Sequence, residues 1–321
     1  MKMTKSLLIS ALFLTIVSCK KNQEQQTISN EDLSVFGNYV TDDYLNRNDG
    51  YDWISIKVDS ISNDQIHIAV RSRADKKRPT CTFDIKAFKS GELSYEGIYD
   101  GKTISFQFTG ESISISTKNP EDSDLLYFFC NGGASLAGTY QKINEELDNT
   151  QIDRTDFSKV LNLQDIGFNV SSIKKEEMMM LSVFTFGLQE QEYNETFNIE
   201  GETVVDAEVE DLNSDGSPEL FVYTQSKGSG SYGNVYAFSV NNKKSMSQVY
   251  FQPTAENNEI NQGHMGHDEF TLIENTLNQR FPIYQEGDTN ANPTGGIRQI
   301  SYKLVDGEAM RRLTVDQITE Y

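Results

Sequence analysis

Apolar and polar side chains alternate with a period of two along most of this chain, and this alternation restricts its possible folds more than any other feature. The alternation is clear in "WISIKV" (53–58), "IHIAV" (66–70) and "TISFQF" (103–108). It is typical of β-strands with one buried face and one exposed face. Asp100-Gly101, just before the third segment, is a strong signal for a hairpin turn. Helical periodicity occurs only in weak pieces near 152–163, so the sequence predicts an all-β protein.

The predicted strands form two groups, separated by a polar and acidic segment at 141–156. The first group contains seven or eight short strands, if "LLYFFC" (125–130) is counted as one, which fits a small barrel or sandwich. A chain of 321 residues is also long for one domain. We therefore expect two small antiparallel β-sandwich or barrel domains in tandem. A barrel-like domain of unknown role occupies 34–143, a linker 144–152, and the second domain 153–321.

The alternation continues in the second half of the chain. In "VVDAEVEDL" (204–212) it predicts that Val205, Ala207 and Val209 point inward, while the acidic residues between them point to solvent. The other segments predicted as strands are "ELFVYTQ", "VYAFSV", "FTLIEN", "RFPIYQ", "RQISYKLV" and "MRRLTVDQI".

The first 18 residues have the pattern of an export signal. Lys2 and Lys5 precede the apolar run "LLISALFLTIV", which has the length of a signal-peptide core and is short for a membrane span. The run ends in "IVSC", which resembles the lipobox of bacterial lipoproteins. This resemblance implies that Cys19 is lipidated, that 19–33 is a tether, and that the protein is anchored by its lipid to the membrane. An ordinary cleaved signal peptide with a coincidental cysteine is the alternative.

We therefore expect the protein in the cell envelope of a Gram-negative bacterium, as an outer-membrane lipoprotein that faces the periplasm or the cell surface. Its net charge of −20 becomes −22 when Lys2 and Lys5 are removed with the signal peptide. Such a surface repels nucleic acid and attracts basic proteins, so no nucleic-acid partner is expected. Solubility of an exported protein is the alternative explanation of the charge. Because export leads to an oxidising compartment, Cys81 and Cys130 are predicted to form a disulfide.

Two segments contain residues that metals use as ligands. "DLNSDGSPE" (211–219) resembles the start of a calcium loop, with oxygen ligands at Asp211, Asn213 and Asp215. However, Val222 occupies the twelfth position, where an EF-hand has a carboxylate, and the same residues suit a tight turn. We interpret the segment as a turn and keep the three residues as weak metal candidates.

His264 and His267 of "GHMGHDEF" lie beside Asp268 and Glu269, which is a weak zinc signal, because this spacing on a strand or loop does not place both imidazoles on one face.

The chain contains no motif for catalysis. "GSGSYG" is not followed by a predicted helix and lacks the spacing of a nucleophile elbow or a phosphate-binding loop. With 48 acidic residues, a carboxylate pair carries no information. We therefore expect no catalytic residue, no cofactor and no enzymatic activity. The basic cluster "RSRADKKRPTC" (71–81) is interpreted as a solvated hairpin tip, with a site for lipid head groups or an acidic partner as the alternative.

Between two predicted strands, "KGSGSYGN" (227–234) is unusually rich in glycine for a hairpin connection and contains a single large side chain, Tyr232. From about residue 153 the chain resembles the periplasmic inhibitors of invertebrate-type lysozyme. Five segments carry the resemblance in the order of the family: "DLNSDGSPEL", "SKGSGSYGNVYAFSVNNKKS", "QGHMGHDEF", "RFPIYQEGDTNANPTGGIRQISYKLV" and "ITEY".

The resemblance implies a β-sandwich or flattened barrel, pairing as a homodimer, and a Ser-Gly-x-Tyr loop that enters the lysozyme cleft. Its residues here are Ser229, Gly230, Ser231 and Tyr232. We therefore predict a lipid-anchored lysozyme inhibitor, with invertebrate-type lysozyme as the partner. The alternative role of Tyr232 is to pack on its own hairpin. The alternative function is a cell-envelope module that binds a small ligand, calcium or a glycan.

Overall fold

The computed structural model describes residues 34–75, 79–175 and 178–321. The predicted signal peptide, Cys19 and the tether lie outside the described residues, as do the three basic residues at 76–78. Val35–Tyr321 form one compact unit. This unit is built almost entirely of antiparallel strands, which confirms the predicted all-β class. Within the described residues, no helix is long and apolar enough to cross a membrane.

Eight antiparallel strands form a closed barrel in the first half of the chain, in which each strand pairs with the next and the last pairs with the first. The strands are β1 (Gly37–Val40), β2 (Ile54–Ser62), β3 (Gln65–Ser72), β4 (Phe83–Lys89), β5 (Ser94–Tyr99), β6 (Lys102–Phe108), β7 (Ser112–Thr117) and β8 (Gly138–Ile143). The residues predicted to point inward, such as Ile56, Ile68 and Phe106, lie in the barrel core. Asp100 and Gly101 both have positive φ angles in a two-residue turn closed by the Tyr99–Lys102 pair, as predicted.

The segment "LLYFFC" is not a strand. Leu125–Phe128 form a short helix, α1, whose two leucines lie in the barrel core while Tyr127 and Phe128 remain exposed. A continuous apolar run of this length fits a strand or a buried helical turn equally well, which is why the sequence prediction was wrong here. A disulfide joins Cys130, just after α1, to Cys81, just before β4.

Arg71, predicted to lie in a solvated hairpin tip, is instead buried between the barrel and the next strand. Its guanidinium makes two hydrogen bonds to the Asp84 carboxylate, of 3.1 and 2.8 Å. It also donates to the backbone oxygens of Thr155 and Asp156, at 2.6 and 2.9 Å. A guanidinium can be buried in this way because a carboxylate and backbone oxygens accept its hydrogen bonds. The prediction failed because Asp84 comes close to Arg71 only when β3 pairs with β4.

The segment predicted as a linker, 144–152, packs against the barrel. Leu147 and Ile152 contact a small buried cluster that contains Tyr44 and Trp53. Tyr44 belongs to a 3-10 helix, Asp42–Asp49, that the sequence did not predict, and its hydroxyl accepts a hydrogen bond from the Asp148 amide at 2.9 Å. The proposed boundaries at 144 and 153 stay a prediction.

The second half of the chain contains three four-stranded antiparallel sheets. Their strands are β9 (Thr155–Leu163), β10 (Ile166–Lys175), β11 (Met178–Phe186), β12 (Asn194–Asn198), β13 (Glu202–Glu210), β14 (Glu219–Ser226), β15 (Gly233–Asn241), β16 (Ser245–Val249), β17 (Glu269–Ile273), β18 (Thr276–Pro282), β19 (Ile297–Val305) and β20 (Arg312–Glu320). The first sheet has the order β12-β11-β10-β9, the second β13-β14-β15-β16 and the third β17-β18-β19-β20. The weak helical periodicity near 152–163 was misleading, because β9 covers most of that segment.

The middle sheet contributes to an apolar cluster on each of its faces. Leu220 and Val222 of β14 lie in the cluster shared with β9–β11, whereas Phe221 and Tyr223 lie in the cluster shared with the β17–β20 sheet. This explains why "LFVYT" is buried without interruption, since a strand covered on both faces has no solvent side.

Val205 does not point into the core as predicted. The pairing of β13 with β14 shifts register between Val204 and Asp206, which is a β-bulge. The bulge leaves Val204 buried and Val205 at the surface, because one extra residue reverses the alternation. Ala207 is buried as expected.

The Cys81–Cys130 disulfide allows a stability prediction. The two cysteines are 49 residues apart in sequence. Because the bond lowers the conformational entropy of the unfolded chain, it raises the free energy of unfolding by roughly 4 kcal/mol in the loop-entropy treatment. We expect the variant with both Cys81→Ser and Cys130→Ser to lose stability by up to this amount in urea unfolding. Reaction of both thiols in the native, unreduced protein would contradict the pairing.

Candidate functional site

The candidate site is the loop that connects β14 to β15. Its two ends are joined by a hydrogen bond from the Ser226 amide to the Tyr232 carbonyl, at 2.8 Å. The Tyr232 amide donates to the Ser226 hydroxyl at 2.9 Å, and the Ser231 amide donates to the Gly228 carbonyl at 3.0 Å. These bonds give the loop a defined conformation in spite of its glycine content.

A second segment, the turn 263–268, supports the loop from one side. The His267 amide donates to the Gly230 carbonyl at 2.6 Å. The two backbones approach so closely that a Cβ on Gly266 would lie 1.9 Å from the Gly230 oxygen. Gly266 also has a φ of +90°, which favours glycine. A glycine at 266 is therefore required for the two turns to touch.

A third segment, the loop 286–296, contacts the same loop through Asn290. The Asn290 side-chain amide donates to the Ser229 carbonyl at 2.7 Å, and its oxygen accepts from His267 Nε2 at 3.0 Å. The Tyr284 hydroxyl donates to the Asn290 carbonyl at 3.0 Å. Asn290 thus links the loop to the turn that contains His267.

The carboxylate of Asp268 is buried beneath the loop and accepts hydrogen bonds from three directions. His264 Nε2 lies 2.9 and 3.0 Å from its two oxygens. The Gly233 amide donates at 2.9 Å and the Gln279 side-chain amide at 2.6 Å. Tyr302 in turn donates to Gln279 at 2.6 Å, and burial raises the pKa of the Tyr302 hydroxyl, which keeps it a donor. This network fixes the position of Gly233, which is the first residue of β15 and follows Tyr232 in the chain.

Tyr232 packs against this support and also remains accessible. Its ring meets the ring of His264 edge to face, with 5.4 Å between centroids, yet 44% of the residue is exposed. Ser229 is exposed. Neither the Tyr232 nor the Ser229 hydroxyl makes a hydrogen bond to another described residue. The loop therefore presents the ring of Tyr232 on a narrow backbone, and the hydroxyls of Tyr232 and Ser229 are not engaged by any described residue.

The two histidines of "GHMGHDEF" have separate structural roles. His264 is buried against Asp268, whereas His267 contacts Asn290, so the histidines do not converge on one point. Among the residues that the structure describes, no group of three or more histidine, cysteine, aspartate or glutamate side chains could hold a metal ion.

The oxygens of the calcium-like segment accept hydrogen bonds from their own turn and from residues packed against it. Asp211 accepts hydrogen bonds from the amides of Asp215 and Gly216, at 3.0 and 2.9 Å. Asp215 accepts from the Ser217 amide at 2.9 Å and from Arg311 at 2.9 Å, and the Asn213 side-chain amide donates to it at 2.8 Å. The hydrogen bonds to the backbone amides are those of a tight turn built by Asx side chains. The structural role of the segment is therefore that of a turn between β13 and β14.

A cleft of about 660 Å³ opens beside the start of the loop. Ile61 of the barrel and Val205 of β13 contribute apolar walls, and Thr224 and Gln225 line it just before the loop begins. Lys86 of the barrel reaches Asp206 in the cleft at 2.7 Å. The barrel and the second half of the chain thus form this concave surface jointly.

The comparison with protein families matches a region of the chain that contains the loop between β14 and β15. Residues 181–262 match the family model of the periplasmic lysozyme inhibitor of I-type lysozyme. The resemblance noted in the sequence is thus confirmed for this region, which includes residues 229–232. Comparison with curated proteins finds no match. The residues that support the loop from outside, including His264, Asp268 and Asn290, lie beyond the matched segment.

The sequence did not reveal the supporting role of Asp268 and Asn290. Asp268 was considered only as a possible metal neighbour, and Asn290 is one of many polar residues in a long loop. The available signal was their position in two of the segments that carry the family resemblance, but their partners lie 35 and 61 residues away in the chain.

Glu219, which follows the Asx turn, allows a pH prediction. It is completely buried, accepts hydrogen bonds from the Leu212 amide and the Ser239 hydroxyl, and lies 3.4 Å from Arg311. Burial raises its pKa from 4.5 to about 7. Because the folded state binds the proton more tightly, this group stabilises the fold below pH 4.5. That stabilisation is lost as the pH rises through about 7.

We expect Glu219→Gln to remove this contribution, which amounts to roughly 3 kcal/mol across the interval. The free energy of unfolding should be measured by urea denaturation between pH 4 and pH 8. As the pH rises, the free energy of unfolding of the wild type should fall relative to that of the variant. A difference that stays constant with pH would show that Glu219 titrates normally.

Proposed function

We propose that this protein is a lipid-anchored inhibitor of an invertebrate-type lysozyme, and that residues 229–232 enter the active-site cleft of the enzyme. The family match of residues 181–262 supports a periplasmic lysozyme inhibitor. The observation that carries the finer proposal is the geometry of the loop inside that match. A narrow, hydrogen-bonded turn presents Tyr232, which is 44% exposed. Neither the Tyr232 hydroxyl nor the Ser229 hydroxyl makes a hydrogen bond to another described residue.

The chemistry of a lysozyme explains why such a loop would suit it. Lysozymes are glycosidases with two carboxyl groups in a groove that binds a sugar chain. A loop that enters the groove must be thin, which glycines at 228 and 230 allow. A serine hydroxyl can donate a hydrogen bond to one carboxyl group. A tyrosine ring supplies apolar contact area at a small cost in conformational entropy.

The support beneath the loop favours tight binding. A loop that is already held in its bound shape loses little conformational entropy when the complex forms. The hydrogen bonds from His267 and Asn290 to the loop backbone supply this preorganisation. In this mechanism inhibition results from occlusion of the groove, so the inhibitor performs no chemistry of its own.

The anchor and the charge complete the proposal. Acylation of Cys19 would hold the protein at the outer membrane, and the segment 19–33 would act as the tether. A net charge of −22 after removal of the signal peptide would speed association with a basic lysozyme, and salt would slow it. Pairing of two copies, which the family resemblance implies, also stays a prediction.

The cleft beside the loop favours a second candidate function, the binding of a small ligand or glycan, since its volume is typical of ligand sites.

Under the inhibitor proposal, we expect the melting temperature of the full chain to stay constant when calcium or soluble peptidoglycan fragments are added. A concentration-dependent rise with either ligand would favour the alternative function.

The loop mechanism predicts the effect of two substitutions. Combined Ser229→Ala and Tyr232→Ala should reduce inhibition of an invertebrate-type lysozyme by about a hundredfold or more, since it removes a central aromatic anchor and a hydroxyl. The measurement is the inhibition constant in a peptidoglycan lysis assay, repeated with lysozymes of other types.

Tyr250→Ala is the matched control, because Tyr250 is similarly exposed, at 49%, but lies outside the loop. It should leave the inhibition constant unchanged. Full inhibition by the double variant, with an unchanged melting temperature, would rule out the loop mechanism.

A further inference from the structure

We propose that the turn 263–268 is a second contact surface for the same lysozyme, and that its exposed Met265 packs against an apolar wall of the groove beside Tyr232. This inference rests on the proposed function. It assigns to the turn a direct role in binding, in addition to its role in supporting the loop.

Met265 lies next to the tyrosine. A Cβ on Gly230 would be 2.6 Å from the edge of the Tyr232 ring and 3.1 Å from the carbonyl oxygen of Met265. The tyrosine ring and the Met265 backbone therefore border the same point of the loop. A partner that surrounds Tyr232 therefore also comes close to the backbone of Met265.

The side chain of Met265 is exposed although its backbone is firmly held. Its exposure is 40%, and it belongs to none of the apolar clusters among the described residues. The side chain is therefore available for contact with a partner that binds the exposed Tyr232.

Both ends of the turn are fixed to the rest of the structure. At one end, the Gly263 carbonyl accepts a hydrogen bond from the Tyr284 amide at 2.9 Å, and a Cβ on Gly263 would lie 2.7 Å from the Ile283 side chain. At the other end, Gly266 touches the carbonyl of Gly230 and the Asp268 carboxylate is buried. Met265 is thus presented on a rigid turn, which lowers the entropic cost of using it in an interface.

The chemistry of the side chain fits the wall of a sugar-binding groove. Ligand clefts in proteins usually contain apolar and aromatic side chains beside their polar groups. Methionine is flexible and polarizable, so it adapts to an irregular apolar surface and makes favourable contacts with aromatic rings. Tyr232 and Met265 together would contact two neighbouring parts of the groove.

The test compares Met265→Ala with Met310→Ala in the full chain. Met310 is a matched control because it is also an exposed methionine, at 46%, but lies between β19 and β20. We expect Met265→Ala to raise the inhibition constant for an invertebrate-type lysozyme at least about fivefold, as for an interface residue of moderate weight. Met310→Ala should change it less than about twofold. The melting temperatures of both variants should match that of the wild type.

The outcomes separate this inference from the function on which it rests. If Ser229→Ala with Tyr232→Ala abolishes inhibition while Met265→Ala behaves like Met310→Ala, the loop mechanism stands and the second contact surface is refuted. If the wild type does not inhibit any lysozyme, the proposed function fails, and this inference with it. A salt series adds a further check, since loss of an apolar contact should raise the inhibition constant by the same factor at low and high salt.

Discussion

The buried carboxylate of Asp268 holds together the elements that form the candidate site. It accepts hydrogen bonds from His264 in the supporting turn, from the backbone of Gly233 after the loop, and from Gln279 in β18. Burial of a carboxylate is costly unless donors compensate it, so these three partners must stay in place. Asp268 thereby helps to position Tyr232, because Gly233 is the next residue in the chain and His264 packs against the tyrosine ring.

The stack of sheets makes such a site possible. The middle sheet packs on both faces, so β14 and β15 form a stiff base from which their connecting loop projects. The turn at 263–268 precedes β17 and the loop at 286–296 follows β18, so both lie at the open end of the antiparallel β17–β18 hairpin. Three loops from two sheets therefore meet at one point. In an inhibitor this rigidity matters, because a flexible loop would lose conformational entropy on entering a groove.

The sequence predicted what depends on local pattern. The alternation in β2, β3 and β6, and the turn at Asp100-Gly101, were all predictable because a strand face and a two-residue turn are decided by neighbouring residues. The prediction was wrong for "LLYFFC", where an apolar run does not distinguish strand from helix, and for Val205, where a bulge reverses the alternation. Local sequence does not encode a bulge, since it arises from the pairing of two strands.

The sequence by itself determined the all-β class and the place in the chain of a connection made of glycine, serine and one tyrosine, because these follow from residues that are contiguous. Only the tertiary structure decided what holds that loop. The partners of Ser229, Gly230 and Gly233 come from segments 35 to 61 residues further along the chain. It also decided that Arg71 is buried against Asp84. Hydrogen bonds and close packing depend on distance in space, and strand pairing sets that distance.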